Sequence, residues 1–165
     1  EILLDIIEKQ MHQTGSQINI RFIGGISNST VNKLKRNRNI SFEFIQYLNH
    51  GEAIKSLMES SALLIVIPAS VKTQEMIPGK LFEYLAARKP IIALGPENSN
   101  VADILYHTNS GKNFDNNDRQ ALDEYIRDLI INFQKGEINV ESTGIQQYSR
   151  RNLTSRLASM LNELE

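Results

Sequence analysis

Along the chain, apolar positions switch repeatedly between two spacings. Ile2, Leu3, Ile6, Ile7 and Met11 recur at helical intervals, and Gly15 follows as a stop. Ile18-Asn-Ile-Arg-Phe-Ile23 alternates with period two and runs into Gly24-Gly25, which predicts a strand ending in a tight turn. A polar helix is expected over about 29–37. A second strand is expected over 40–47, where β-branched and aromatic residues concentrate. Residues 51–60 read as a short helix. The run Ala62-Leu-Leu-Ile-Val-Ile67 is apolar on both faces, as in a central parallel strand covered on each side. Pro78 opens a helix that runs through Arg88, with proline in the first turn where its missing N–H costs little. Its buried face is expected to comprise Leu81, Phe82, Leu85 and Ala86. Pro90-Ile-Ile-Ala-Leu94 is another strand, followed by a helix over 99–107 and a weak strand over 111–114. Ala121, Leu122, Tyr125, Ile126, Leu129, Ile130 and Phe133 form one long stripe. Leu153, Leu157, Met160, Leu161 and Leu164 form another, and both read as core.

This alternation implies an α/β fold: a Rossmann-like parallel sheet with helices on both faces. Ligands of such sheets bind at the carboxyl ends of the strands. The informative loops are therefore those after Ile23, Ile45, Ile67 and Leu94.

Composition narrows the chemistry. The 165 residues, 41% of them apolar, are enough for one globular domain with its own core. With 18 basic against 19 acidic residues the net charge is -1, which excludes the electrostatic footprint of a nucleic-acid binder. No cysteine is present, so disulfide scaffolds, thiolate catalysis and Cys-based metal sites are excluded. No apolar run approaches the ~20 residues that span a bilayer. The start Glu1-Ile-Leu-Leu has neither an initiator Met nor a basic leader, so the chain is expected to be a C-terminal piece of a larger protein.

His12, His50 and His107 are far apart, which disfavours a metal site, and His50 is expected to act as a polar helix cap. Gly111-Lys112 lacks the rest of a phosphate loop. The basic run Lys33-Leu-Lys-Arg-Asn-Arg38 reads as a solvated helix face, with contact to anionic membrane lipids as its alternative.

The loop after Ile67 carries the most chemistry. Glu75 and Glu83 are separated by seven residues, with Pro78-Gly79-Lys80 between them at a helix start. Free N–H groups and the positive dipole end near Gly79 form an anion seat. A carboxylate just beyond that seat suits a vicinal diol, because it accepts two hydroxyl protons. Anion seat plus diol acceptor describes a nucleoside diphosphate with its ribose. The alternative is a surface i,i+3 pair of Lys80 with Glu83 and an unrelated exposed Glu75.

The segment Pro78-Gly-Lys-Leu-Phe-Glu-Tyr-Leu-Ala-Ala-Arg-Lys-Pro-Ile-Ile-Ala93 resembles the donor-site signature of retaining, two-domain glycosyltransferases. These are the GT-B class and its family 4, the glycosyl transferases group 1. Glu75 and Glu83 match that family's glutamate pair. Phe44-Ile-Gln-Tyr-Leu-Asn-His-Gly-Glu-Ala-Ile54 resembles its "Gly-Tyr-x-x-His-x-Glu" turn, and Phe22-Ile-Gly-Gly25 its glycine turn. Val101-Ala-Asp-Ile-Leu105 with Gly111, and the last helix from Tyr148-Ser-Arg, also follow in family order.

The resemblance implies transfer of a sugar from a UDP- or GDP-sugar to a glycan or lipid-linked acceptor, as in polysaccharide biosynthesis. It implies that Glu83 holds the ribose hydroxyls and that Glu75 is catalytic, meeting the transferred sugar or the positive charge that develops on it. Backbone amides near Gly79, Lys80 and Leu81 would meet the diphosphate, and main chain around Tyr47 and Gly25 would border the nucleotide. Neither a metal nor a cofactor is implied. The location implied is cytoplasmic, with peripheral contact at the inner face of the membrane.

Three departures qualify it. Gln46 stands where the family has Gly, and Pro78 stands where many members have Gly. The family's diphosphate-binding Arg and Lys, with its acceptor-binding N-terminal half, lie upstream of this chain, which is therefore expected to be inactive alone. The competing expectations are a UDP-sugar epimerase of similar architecture and a degenerate, non-catalytic Rossmann-like binding module. A phosphoacceptor receiver would need Asp at the strand ends, which instead carry Gly24, Gln46 and Pro68.

Overall fold

The computed structural model describes residues 2–68, 74–115, 117–138 and 140–163. Elements follow in the order α1 (Ile2–Thr14), β1 (Asn19–Ile23), α2 (Asn28–Leu34), β2 (Ser41–Ile45), α3 (His50–Glu59), β3 (Leu63–Val66), α4 (Lys80–Ala87), β4 (Ile91–Leu94), α5 (Asn100–Thr108), β5 (Gly111–Phe114), α6 (Arg119–Lys135) and α7 (Arg150–Asn162). A 3₁₀ turn, Ile145–Tyr148, precedes the last helix. They gather into two compact units, Glu1–Ser60 with Phe114–Ile138, and Ser61–Asn113 with Asn139–Glu165.

In the first unit β1 and β2 pair in parallel, with Ile20 opposite Phe42 and Phe22 opposite Phe44. This register sets three aromatic rings on one face, Phe22 stacking on Phe44 with centroids 5.6 Å apart and Phe42 beside both. On the other face Arg21 Nε donates to Glu43 at 2.6 Å and its Nη1 to Ser56 of α3 at 3.1 Å, so one guanidinium ties two strands to a helix. α1 packs on α6 through Ile6 and Ile7 on one side and Leu122, Ile126 and Ile130 on the other, all buried. Across that contact Lys9 Nζ and the buried Gln10 Nε2 both donate to Asp123, at 2.5 and 2.8 Å. Those two donors hold the Asp123 carboxyl below the usual carboxylate range. Gly15 ends α1 as expected, at φ 69° with its N–H on Met11 O.

In the second unit β3 and β4 pair in parallel, Leu63 opposite Ile91 and Val66 opposite Leu94, and β5 flanks β4. Leu63, Ile65, Ile67, Ile91 and Ala93 are buried, as are Leu81 and Leu85 of α4 and Val101, Ile104 and Leu105 of α5. Among the described residues, hydrogen bonding groups the strands within each unit as a pair, β1 with β2, and a set of three, β3, β4 and β5.

Four expectations need correction. β3 is not covered along both faces: Leu64 is half-buried and Val66 is 59% exposed at its carboxyl end. α4 starts at Lys80, two residues later than the proline suggested, so Pro78 stands outside the helix. Its buried residues are Leu81, Leu85 and Ala87, with Ala86 exposed and Phe82 half-buried against Tyr148. The stripe on α7 is not core, since Leu153, Leu157, Met160 and Leu161 are all exposed. Leu164 of that stripe lies outside the described residues. The α6 stripe is core as far as Ile130, beyond which Phe133 emerges into solvent.

Candidate functional site

In the second unit the candidate residues cluster before and within the first turn of α4. Of the loop 68–83, residues 69–73 lie outside the described set. From Gln74 the backbone bends through Glu75, runs without regular structure to Pro78, and turns at Gly79. Gly79 is the N-cap and has no side chain with which to cap. Leu81 N–H donates to Pro78 O at 2.9 Å and Phe82 N–H to Gly79 O at 3.3 Å, a tight first turn. The Leu81 amide, expected at a diphosphate, is thus engaged within the helix start, and its side chain is fully buried. The amides of Gly79 and Lys80 have no acceptor among the described residues. They lie at the positive end of the α4 dipole, the arrangement that favours an anion.

Because α4 begins at Lys80, Glu83 falls in its first turn. Its side chain is exposed. The alternative of an i,i+3 surface pair is not realised: among the described residues no ion pair joins Lys80 to Glu83, and neither side chain is hydrogen-bonded. Burial pushes the neighbouring Tyr84 hydroxyl up from its ordinary value, and the charge of Glu83 adds to the effect. Glu75 is exposed, its main-chain oxygen accepting from Asn100 Nδ2 at 3.0 Å.

The first unit holds the other candidates. β1 is followed directly by Gly24, whose φ of 108° is a glycine conformation, and whose N–H is shared between Ile45 O at 3.0 Å and Gln46 O at 2.9 Å. The turn expected around Gly25 therefore depends on Gly24. Gly25 is exposed and has no positive φ. Gln46 and Tyr47 follow β2, Tyr47 being 88% exposed. His50 is not the helix cap. Asn49 fills that position, its side chain accepting from Glu52 N–H while Glu52 Oε2 accepts from Asn49 N–H, a reciprocal capping box. The letters Asn49-His-Gly-Glu52 carried that signal, since a cap residue followed three later by Glu is its signature.

Parallel strands alternating with helices are the arrangement of a Rossmann-like half of a GT-B fold. The profile of the family described as glycosyl transferases group 1 matches residues 2–139, and the chain belongs to that family. No curated protein matches it. Among the described residues, no helix is long and apolar enough to cross a membrane, and no three His, Cys, Asp or Glu residues group so as to hold a metal ion.

Proposed function

We propose that this chain is the donor-binding part of a retaining glycosyltransferase that uses a UDP- or GDP-sugar. The observation that carries the reading is the start of α4, where, among the described residues, the amides of Gly79 and Lys80 have no acceptor and the Glu83 carboxylate of the first turn has no hydrogen-bond or ion-pair partner. A diphosphate meets the amides and the dipole end, and the ribose diol donates to Glu83. Glu75 meets the transferred sugar, and its charge favours the oxocarbenium-like transition state as the glycosidic bond breaks. The diphosphate departs with the bonding electron pair, and its growing charge is stabilised by the amides. The family resemblance also assigns Gly25 and Tyr47 to nucleotide binding.

In the complete protein an N-terminal half supplies the acceptor site and further cations for the diphosphate. The enzyme works in the cytoplasm, with peripheral contact at the inner face of the membrane. By itself the chain binds donor weakly and does not turn it over. A second reading, a degenerate copy that has lost its donor, is favoured by Gln46, an exposed amide where the family resemblance calls for glycine.

Calorimetric titration with UDP, GDP and their sugar conjugates tests the proposal. Binding should weaken about tenfold or more in Glu83→Ala, as expected for charge-assisted hydrogen bonds worth about 1.5–3 kcal/mol. Binding that is indifferent to Glu83 would sink the assignment. No binding even after the upstream segment is restored would favour the degenerate copy.

A further inference from the structure

At Glu75 the loop is tied to another element through Asn100. Asn100, the first residue of α5, donates its main-chain N–H to Gln74 O at 3.0 Å and its side-chain Nδ2 to Glu75 O at 3.0 Å. These two carbonyls belong to the peptide planes on either side of the Glu75 Cα. Peptide planes are rigid, and only φ and ψ separate one from the next. Holding both planes from one anchor sets φ and ψ of Glu75, and with them the direction in which its side chain leaves the chain.

The anchor is itself well mounted. Ser99 caps α5 by accepting the Ala102 N–H at 3.2 Å, and Ser99, Val101, Ile104 and Leu105 are buried. The segment leading into Ser99 is tied to β5, because Asn113 Nδ2 donates to Pro96 O at 3.0 Å and reaches Gly95 O at 3.4 Å. Gly95 in turn sits against the Ile67 side chain, where a Cβ would come within 2.9 Å of Ile67 Cβ. The exposed Glu75 is therefore linked to the core through Asn100 alone among the bonds its own main chain makes with described residues.

We propose that Asn100 is the positioning residue of Glu75: it sets the direction in which the Glu75 side chain leaves the main chain toward the donor sugar, without touching the donor itself. The role requires a neutral amide, since aspartate has the same shape but no proton to donate to a carbonyl oxygen. The benefit is preorganisation, in that a loop already ordered loses less entropy when the sugar arrives. This inference rests on the proposed reading of Glu75.

The test has two arms, both on the whole chain. In the ligand-free arm, Asn100→Asp is compared with the parent by NMR. Aspartate at a helix start keeps the dipole favourable, so α5 should persist. The expected result is lower heteronuclear NOE and averaged backbone couplings at Glu75 and Met76, with Asn100→Ala giving the same outcome. Unchanged order at Glu75 in both variants overturns the inference whether or not any nucleotide binds.

In the second arm, the affinity of UDP-glucose relative to UDP, and of GDP-mannose relative to GDP, measures the sugar's share of binding. Asn100→Asp should lower that ratio about as far as Glu75→Gln does, roughly threefold or more (about 0.65 kcal/mol). It should leave UDP and GDP themselves unchanged, and the double variant should lose no more than either single one. A ratio that falls in Glu75→Gln but not in Asn100→Asp overturns the positioning role. A ratio that Glu75→Gln leaves unchanged overturns the reading of Glu75 and this inference with it, even where Glu83→Ala still weakens nucleotide binding.

Discussion

Gly111 approaches Ile91 so closely that a Cβ placed on it would stand 2.0 Å from the Ile91 carbonyl oxygen and 2.7 Å from its carbonyl carbon. The obstruction is backbone of the neighbouring strand, which cannot rotate aside as a side chain does. Gly111→Ala must therefore push β5 away from β4 or break the Ile91 N–H bond to Ser110 O. A loss of about 3 kcal/mol or more is expected, read as a collapse of the cooperative urea transition.

Gly24 and Gly25 make a contrasting pair. Neither would bring a Cβ into contact within 4 Å, so space does not separate them, but only Gly24 has a positive φ, at 108°. Gly24→Ala should cost at least about 1–2 kcal/mol of backbone strain. Gly25→Ala should be neutral or slightly stabilising. Equilibrium denaturation of the two single variants checks the contrast.

Two helices end on non-glycine residues in left-handed conformation, Arg88 at φ 52° and Asn109 at φ 49°. Replacing Arg88 by glycine removes the steric cost at the α4 terminus, partly offset by the freedom glycine gains in the unfolded chain. Arg88→Gly should raise stability by about 0.5–1 kcal/mol. Asn109→Gly should do less, because asparagine tolerates this region. Thermal unfolding of both variants decides the order.

Asp123 links pH to the α1–α6 contact. Its carboxyl is held below the ordinary range by Lys9 and Gln10, so the folded state binds this proton less readily than the unfolded chain does. The stability it contributes is present above the unfolded value near 4 and is lost as pH falls through the lower folded value. Asp123→Asn should therefore flatten the acid limb of a Tm-against-pH profile below about pH 4. The same substitution leaves the midpoint at higher pH lower than in the parent.

Tyr84 reports on Glu83. Burial is the larger reason its hydroxyl titrates high and the Glu83 charge the smaller. In Glu83→Gln the Tyr84 titration should move toward the ordinary value without reaching it. Titration of the tyrosine ring carbons by NMR, with Tyr84→Phe for assignment, measures this directly.

The order of helices and strands was legible in periodicity because burial in each unit follows it. Leu81 with Leu85, and Leu122 with Ile126 and Ile130, lie on the faces their spacing assigned. The errors came from features that periodicity does not encode. Pro78 has the letters of a helix start, but its carbonyl accepts the Leu81 N–H from outside the helix, so that Lys80 opens α4 and Glu83 lies in its first turn. Leu153, Leu157 and Leu161 repeat as a core stripe would, yet repetition specifies a face and not what covers it. For the candidate site, the glutamates and the Pro78-Gly79-Lys80 turn were readable. Asn100 was not, because its bonds to Gln74 and Glu75 join segments 25 residues apart through main-chain oxygens that every residue type carries.

From Arg150 to Asn162 every side chain of α7 meets solvent, so this helix is held mainly by its own ladder, the Ser149 cap and the Asn152 bond to Gln146 O. Thirteen residues is close to the length at which a helix without packing is marginal in water. Its amides should therefore exchange with deuterium by local melting, at rates set by α7 itself rather than by global unfolding. Far-ultraviolet dichroism, which sums over all helices, will then drift with temperature before the main transition, whereas a probe placed at Leu85 or Ile126 will not. The two probes will return different apparent midpoints for the same chain, and the broader curve will belong to the helix rather than to any loss of cooperativity in the core.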